Sequence, residues 1–229
     1  MSPSRNPDKR PARRVFDVDI PARGARLPGD LQLPEHPVGR VLFAHGSGSS
    51  RASPRNRFVA GVLEDAGLGT LLFDLLTPAE DRDYATRFDI PLLTTRLLAA
   101  AHWASAQRAT ASLPLGYFGA STGAAAALAA AAVGKPSVEA VVSRGGRPDL
   151  AGAALARVRA PTLLIVGGDD TEVLALNREA LAQLACEKSL SVVPGATHLF
   201  EEPGTLDQVA AAAAAWFVRF LPRSAGAPR

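Results

Sequence analysis

Cysteine is almost missing from this sequence. Cys186 is the only one in 229 residues, so no intrachain disulfide and no cysteine-rich zinc site can form. It stands in Leu184-Ala185-Cys186-Glu187, at the end of a helical pattern, where a small buried filler is the expected role. Long apolar runs are missing as well. No stretch of about 20 apolar residues free of charge, glycine and proline occurs. The alanine-rich run 124–133 is too short to span a bilayer and ends at Gly134-Lys135-Pro136. The first residues carry positive charge without the apolar segment of a secretory signal. A soluble, cytoplasmic chain with no membrane partner is the expectation.

Charge of one sign is scarce once it is located. The net charge is +3, yet residues 1–14 hold Arg5, Lys9, Arg10, Arg13 and Arg14 against Asp8 alone, which leaves −1 for the rest. The basic character therefore belongs to a predicted disordered tail, 1–14, and no nucleic-acid partner is expected. Neither HExxH nor any clustered His/Asp arrangement appears, so no metal is expected and no cofactor either. The glycine-rich loop His45-Gly46-Ser47-Gly48 lacks both the G-K-[ST] ending of a phosphate loop and the third glycine of a dinucleotide fingerprint.

What is present is a core. Hydrophobic residues make up 47% and charged residues 21%, which suits a single domain, predicted over 15–221, with a frayed end at 222–229. Two opening strands, Val15–Ile20 and Ala25–Leu33, flank the turn signal Pro21-Ala22-Arg23-Gly24. Short apolar runs at Arg40–Phe43, Thr70–Leu75, Leu115–Phe118, Ala140–Ser143, Thr162–Val166 and Leu190–Val193 then alternate with helical patterns. Those helices are predicted at Phe58–Ala66, Ile90–Ala106, Ser121–Ala132, Leu150–Val158, Val173–Ala185 and Thr205–Leu221. A hairpin followed by such units predicts an α/β fold with one open, doubly wound, mostly parallel sheet of about eight strands. In such sheets ligands bind beyond the carboxyl ends of the strands.

The residues after those strands carry chemistry. Gly119-Ala120-Ser121-Thr122-Gly123 is a G-x-S-x-G between a strand and a helix, a turn that lifts a serine hydroxyl above the sheet. The competing reading is a serine that merely caps the following helix. A hydroxyl needs a base, and a base needs an orienting group. Of His36, His45, His102 and His198, only His198 follows a late strand, in Gly195-Ala196-Thr197-His198-Leu199-Phe200. His102 is expected to pack inside its helix beside Trp103, and His45 to bond loop backbone. Gly167-Gly168-Asp169-Asp170 supplies the acid, with Asp170 preferred to Asp169 and one of the two expected to cap the next helix. The chain order Ser121, Asp170, His198 is that of an α/β-hydrolase. Oxyanion donors are expected from the backbone N–H groups of Thr122 and Ser47.

With these motifs the chain resembles the dienelactone hydrolase-like branch of the α/β-hydrolase superfamily from about Val15 to Leu221. His45-Gly46-Ser47-Gly48-Ser49-Ser50-Arg51 and Ser143-Arg144-Gly145-Gly146-Arg147-Pro148 belong to the resemblance too. It implies acyl-transfer chemistry on a small-molecule ester or lactone. It departs at position 121, where dienelactone hydrolases are known for cysteine, so the dienelactone substrate does not carry over. Only 18 residues, 144–161, separate two late strands where many relatives insert a cap, so no cap domain and an open cleft are expected. Arg51 and Arg144, with Arg55 and Arg147, are candidates to bind an anionic substrate, against the alternative of salt bridges to Asp74, Glu80, Asp81 or Asp149. A thioesterase or acyltransferase using the same three residues, and a noncatalytic hydrolase-fold binding module, are the alternative readings.

Overall fold

The computed structural model describes residues 12–221. The predicted frayed end, 222–229, and all but the last residues of the predicted tail, 1–14, lie outside the described residues. Arg13 and Arg14 do not belong to a tail: they open strand β1 (Arg13–Ala22). Arg13 is held there by ion pairs to Glu64 and Asp65, both in helix α1 (Pro54–Asp65).

β1 pairs antiparallel with β2 (Ala25–Pro34), and the hairpin runs through Pro21 and Ala22 so that Arg23-Gly24 alone makes the turn. Gly24 has φ +74°, the left-handed backbone that a two-residue hairpin turn requires. The remaining strands are β3 (Gly39–Ala44), β4 (Leu68–Phe73), β5 (Leu115–Ala120), β6 (Ala140–Arg144), β7 (Thr162–Gly167) and β8 (Lys188–Val193). Together they form one eight-stranded sheet in the order β1-β2-β4-β3-β5-β6-β7-β8. β2 meets β4 antiparallel, and every later pairing is parallel.

Alternation along the strands makes two cores. Val41 and Phe43 face one side with Phe118, Val142 and Ile165, beneath α1 and α5 (Thr205–Phe220). Leu42 faces the other with Tyr117, Val141 and Leu164, beneath α2 (Ile90–Ala106) and α3 (Thr122–Val133). Sheets covered on both faces need apolar residues at consecutive positions, which is why β3 to β7 read as unbroken buried runs. α3 has buried alanines from Ala124 to Ala127, and their small side chains let it lie close on the sheet.

The predicted helix Leu150–Val158 is instead a 3-10 segment, Pro148–Arg157, broken at Gly152 with φ +51°. A positive φ cannot sit inside a right-handed helix, so the segment stays short and tight. It supplies the connection from β6 to β7 apart from a few flanking residues, and among the described residues no cap domain covers the sheet. His102 is exposed on α2, contrary to expectation, while Trp103 turns toward the core. Among the described residues no helix is long and apolar enough to cross a membrane.

The direction of winding reverses at β3, between β4 and β5. A crevice opens at the carboxyl ends of strands at such a point. The loops after β3, β5, β6, β7 and β8 all reach this edge.

Candidate active site

Ser121 sits in the turn from β5 to α3 with φ +50° and ψ −121°. A serine rarely adopts this backbone, and such strain persists only where surrounding structure enforces it. Close approach on both sides does so. A Cβ on Gly119 would lie 2.4 Å from Ala124 Cα, and one on Gly123 would lie 2.2 Å from the Ala44 carbonyl oxygen. Both glycines of the motif are thus required by contact, and they press the start of α3 against β5 and the end of β3. Ser121 N–H donates to the Arg144 carbonyl at 3.3 Å, and the Ser121 carbonyl accepts from Arg147 N–H at 3.1 Å. Although Ser121 occupies the cap position of α3, its side chain makes no cap bond. The hydroxyl is therefore not spent on helix capping.

Ser121 and His198 line the same cleft, of about 210 Å³, with Gly46, Ser47, Arg144 and Leu199. His198 Nδ1 lies 2.7 Å from Asp170 Oδ2. An ionised carboxylate accepts only, so the proton rests on Nδ1 and Nε2 is the nitrogen with a free lone pair. Asp170 stands at the cap position of α4 (Thr171–Gln183) and makes no side-chain cap bond, because its carboxylate turns to His198. Asp169 is exposed, and its backbone N–H bonds the Ala196 carbonyl. The expectation that one of the pair caps the helix is thus not met. Phe200, two residues beyond the histidine, has φ +56° and is fully buried, which fixes the exit of this loop.

The two groups expected as oxyanion donors differ from each other. Thr122 N–H has no acceptor among the described residues, as expected at the first position of a helix. Ser47 N–H is engaged: it donates to Thr122 Oγ1 at 3.0 Å. Thr122 is buried, so this bond pins the loop after β3 to the start of α3.

His45 holds the same loop from behind. Its Nδ1 donates to the Gly46 carbonyl at 3.0 Å and its Nε2 accepts from Leu75 N–H at 3.0 Å. The bond from Leu75 requires the neutral ring, because a protonated Nε2 cannot accept. Burial pushes its pKa below the usual histidine range, against weaker upward pulls from the Gly46 carbonyl, Asp74 and Asp81. The unfolded chain therefore binds more protons once pH falls below about 6.5. Stability from this ring is complete above that pH and is lost as pH falls toward the folded value. Thermal melts should show Tm declining from pH 7 to pH 5, with a shallower decline in His45→Gln. Equal slopes in the two proteins would show that His45 is not the group responsible.

The four candidate arginines separate cleanly. Arg51 does not line the Ser121 cleft: its Nη1 bonds Asp74 at 2.6 Å and its Nε faces Asp30 at 3.5 Å. It cannot serve as a substrate-binding arginine while two carboxylates neutralise it, so the salt-bridge alternative holds there. Arg147 is likewise paired with Asp149, in two bonds. Arg55 lines the cleft and meets Glu201 at 2.9 Å. Arg144 lines it too, and among the described residues the one hydrogen-bond partner of its guanidinium is the neutral Asn56 Oδ1 at 3.0 Å. Asn56 escaped the sequence reading, since nothing local signals a contact spanning 88 positions.

Residues 80–221 match the dienelactone hydrolase family. A crystal structure of dienelactone hydrolase from Anabaena variabilis is 54% identical, with TM-score 0.88, covering 91% of this chain and 99% of that one. An α/β serine hydrolase without lid from Xanthomonas campestris has the same fold at 22% identity, with TM-score 0.75, covering 92% of this chain and 96% of the other. Two curated Mycobacterium tuberculosis proteins, each named "Putative phosphoribosyl transferase", are 60% identical over 92% of this chain. The chain spans about half the length of these curated relatives, 48%. With more than half of its residues matched, the chain belongs to the dienelactone hydrolase family and has the α/β-hydrolase fold.

Proposed function

We propose that this protein cleaves small esters or lactones through an acyl-enzyme on Ser121, with Asp170 and His198 completing a catalytic triad. The observation that carries the reading is the 2.7 Å contact of His198 Nδ1 with Asp170, in a histidine that shares one cleft with a strained, uncapped Ser121. His198 Nε2 takes the Ser121 proton as the hydroxyl attacks the carbonyl carbon. The imidazolium then gives that proton to the leaving alcohol, and Asp170 stabilises the charged ring. A water deprotonated by His198 attacks the acyl-enzyme and releases the acid. Thr122 N–H is the first oxyanion donor. Ser47 N–H joins it by exchanging Thr122 Oγ1 for the substrate oxygen, and each such donor contributes about 3 kcal/mol of transition-state stabilisation.

The phosphoribosyl transferase name applies to relatives about twice as long. We assign it to the part of those proteins that this chain does not match.

Fluorophosphonate labelling with peptide mapping tests the assignment directly, and label on the peptide carrying Ser121 is the expected result. A panel of 4-nitrophenyl esters should show acetyl and butyryl esters cleaved at least about tenfold faster than palmitoyl, since a cleft of about 210 Å³ has no cap to shelter a long chain. Preference for the palmitoyl ester would overturn the small-substrate assignment.

A further inference from the structure

Two buried arginines in this fold have no carboxylate partner among the described residues, and they differ in one respect. Arg40 spends its guanidinium on the Ala104 carbonyl, the Thr110 carbonyl and Ser105 Oγ, around the end of α2. Those oxygens meet both of its Nη groups and leave only its Nε without an acceptor. Arg144 has nothing comparable. It is 7% exposed, Asn56 is the one partner of its guanidinium among the described residues, and its Nε, like that of Arg40, is buried with no acceptor there. Arg144 is among the residues that border the Ser121 cleft.

An isolated buried cation is strongly disfavoured unless an anion or several acceptors meet it. Here a second cation, Arg55, borders the same cleft. Burial first, and repulsion from Arg55 second, push the Arg144 guanidinium down to about 10, still charged at neutral pH. Among the described residues no Asp or Glu borders the cleft, and Glu201 meets only Arg55, from a mostly exposed position. Asn56 and the Phe200 ring, whose centroid is 6.0 Å from the Arg144 guanidinium carbon, fix the group in place without neutralising it. The fold thus holds a positive charge beside the nucleophile and leaves it uncompensated.

The number of donors indicates which anion. A carboxylate has two oxygens and is filled by one guanidinium fork. This wall brings together Arg144, Arg55, Ser47 and Ser49, beside Ser53, whose hydroxyl already caps α1. A phosphate monoester, with three terminal oxygens and up to two negative charges, matches that surplus.

We propose that the Ser121 cleft is selective for esters carrying a phosphate monoester group, which Arg144 and Arg55 bind beside the scissile carbonyl. The inference rests on Ser121 being the nucleophile, but anion binding can be measured without turnover. In Ser121→Ala, millimolar inorganic phosphate should raise Tm, and the further change Arg144→Gln should abolish the rise. Arg144→Gln alone should leave Tm without phosphate equal or higher, because it removes an uncompensated buried charge. Arg55→Gln, at a more exposed position, should weaken the phosphate effect partially and serves as the second variant if Arg144→Gln does not fold.

Turnover is read on three methyl esters: methyl phosphoglycolate, monomethyl succinate and the neutral methyl methoxyacetate. The phosphorylated ester should exceed the neutral one in kcat/KM by about 30-fold, the scale of a charge-assisted contact. Arg144→Gln should shrink that ratio to within about threefold. Monomethyl succinate performing as well as the phosphorylated ester would overturn the phosphate assignment. Equal loss on all three esters, or no effect of phosphate on Tm, would show that Arg144 is structural. Hydrolysis of none of the three with the phosphate shift intact would overturn the Ser121 mechanism and leave the anion site standing.

Discussion

Replacing Ser121 by alanine should lower kcat on a short ester by about a millionfold and abolish fluorophosphonate labelling, with the fold unchanged. The size of the effect follows from the proposed chemistry, in which no acyl-enzyme forms without the hydroxyl and His198 has no proton to take. The backbone at φ +50° is set by Gly119 and Gly123 packing against Ala124 and Ala44, contacts that alanine at 121 leaves in place. The Ser121 side chain makes no cap bond to α3, so its removal costs no structural hydrogen bond. Stability should change by no more than about 0.5 kcal/mol, the usual scale for a substitution without a structural partner. Residual activity of roughly a thousandfold over water is expected from the surviving oxyanion donors. The decisive measurement pairs active-site titration with a thermal melt. Full burst amplitude in the variant would move the nucleophile elsewhere, and loss of the folded transition would make the activity loss uninformative about chemistry, leaving labelling and peptide mapping of the wild-type protein to decide.

How far the sequence foretold this depends on the range of the interactions involved. Strands buried on both faces are legible because each is a dense apolar run, so Leu115–Ala120 and Thr162–Gly167 were misplaced only at their ends. β8 begins at Lys188, earlier than predicted, because an edge strand exposes Lys188 and Ser189 and so breaks the apolar signal. α1 begins at Pro54 rather than Phe58: its first turn, Arg55-Asn56-Arg57, is polar and shows no helical periodicity, though Ser53 caps it. The prediction of an ordinary helix over 150–158 failed for a local reason, the positive φ at Gly152. Ser121, Asp170 and His198 could be singled out because each follows a strand, and parallel topology carries all strand ends to one edge. The arginines could not be sorted in this way. Arg51 and Arg144 are chemically identical in sequence, and only contacts across 23 and 88 positions show that one is neutralised by Asp74 and the other is left to Asn56. The engagement of Ser47 N–H by Thr122 Oγ1, across 75 positions, was hidden for the same reason.

Asp170→Asn should lower kcat by about ten-thousandfold, while Asp169→Asn should change it by less than about threefold. In the proposed triad Asp170 acts only through His198, so what its loss does depends on the ring. The carboxylate, with its side chain 14% exposed, accepts from Nδ1 and so keeps the lone pair on Nε2, toward the cleft. An asparagine amide there can turn its NH2 to the ring. Nδ1 then becomes the acceptor, Nε2 carries the hydrogen, and the nitrogen that must take the Ser121 proton already holds one. The variant also loses the negative charge that stabilises the imidazolium in the transition state. Raising pH cannot restore the lost rate, because the fault lies in the tautomer and not in the protonation state. Asp170→Asn should therefore stay depressed across pH 7 to 9. Asp169 differs by one position and by its surroundings: it is exposed, and its attachment to the loop is a backbone N–H, which asparagine keeps. Comparing kcat for the two variants on one short ester, with fluorophosphonate labelling rates as a second readout, separates a positioning carboxylate from a solvated neighbour. Equal losses at both positions would mean that the loop responds as a unit and that the 2.7 Å contact does not orient the base. A loss confined to Asp169 would place the acid one residue earlier and require the turn after β7 to be wound differently.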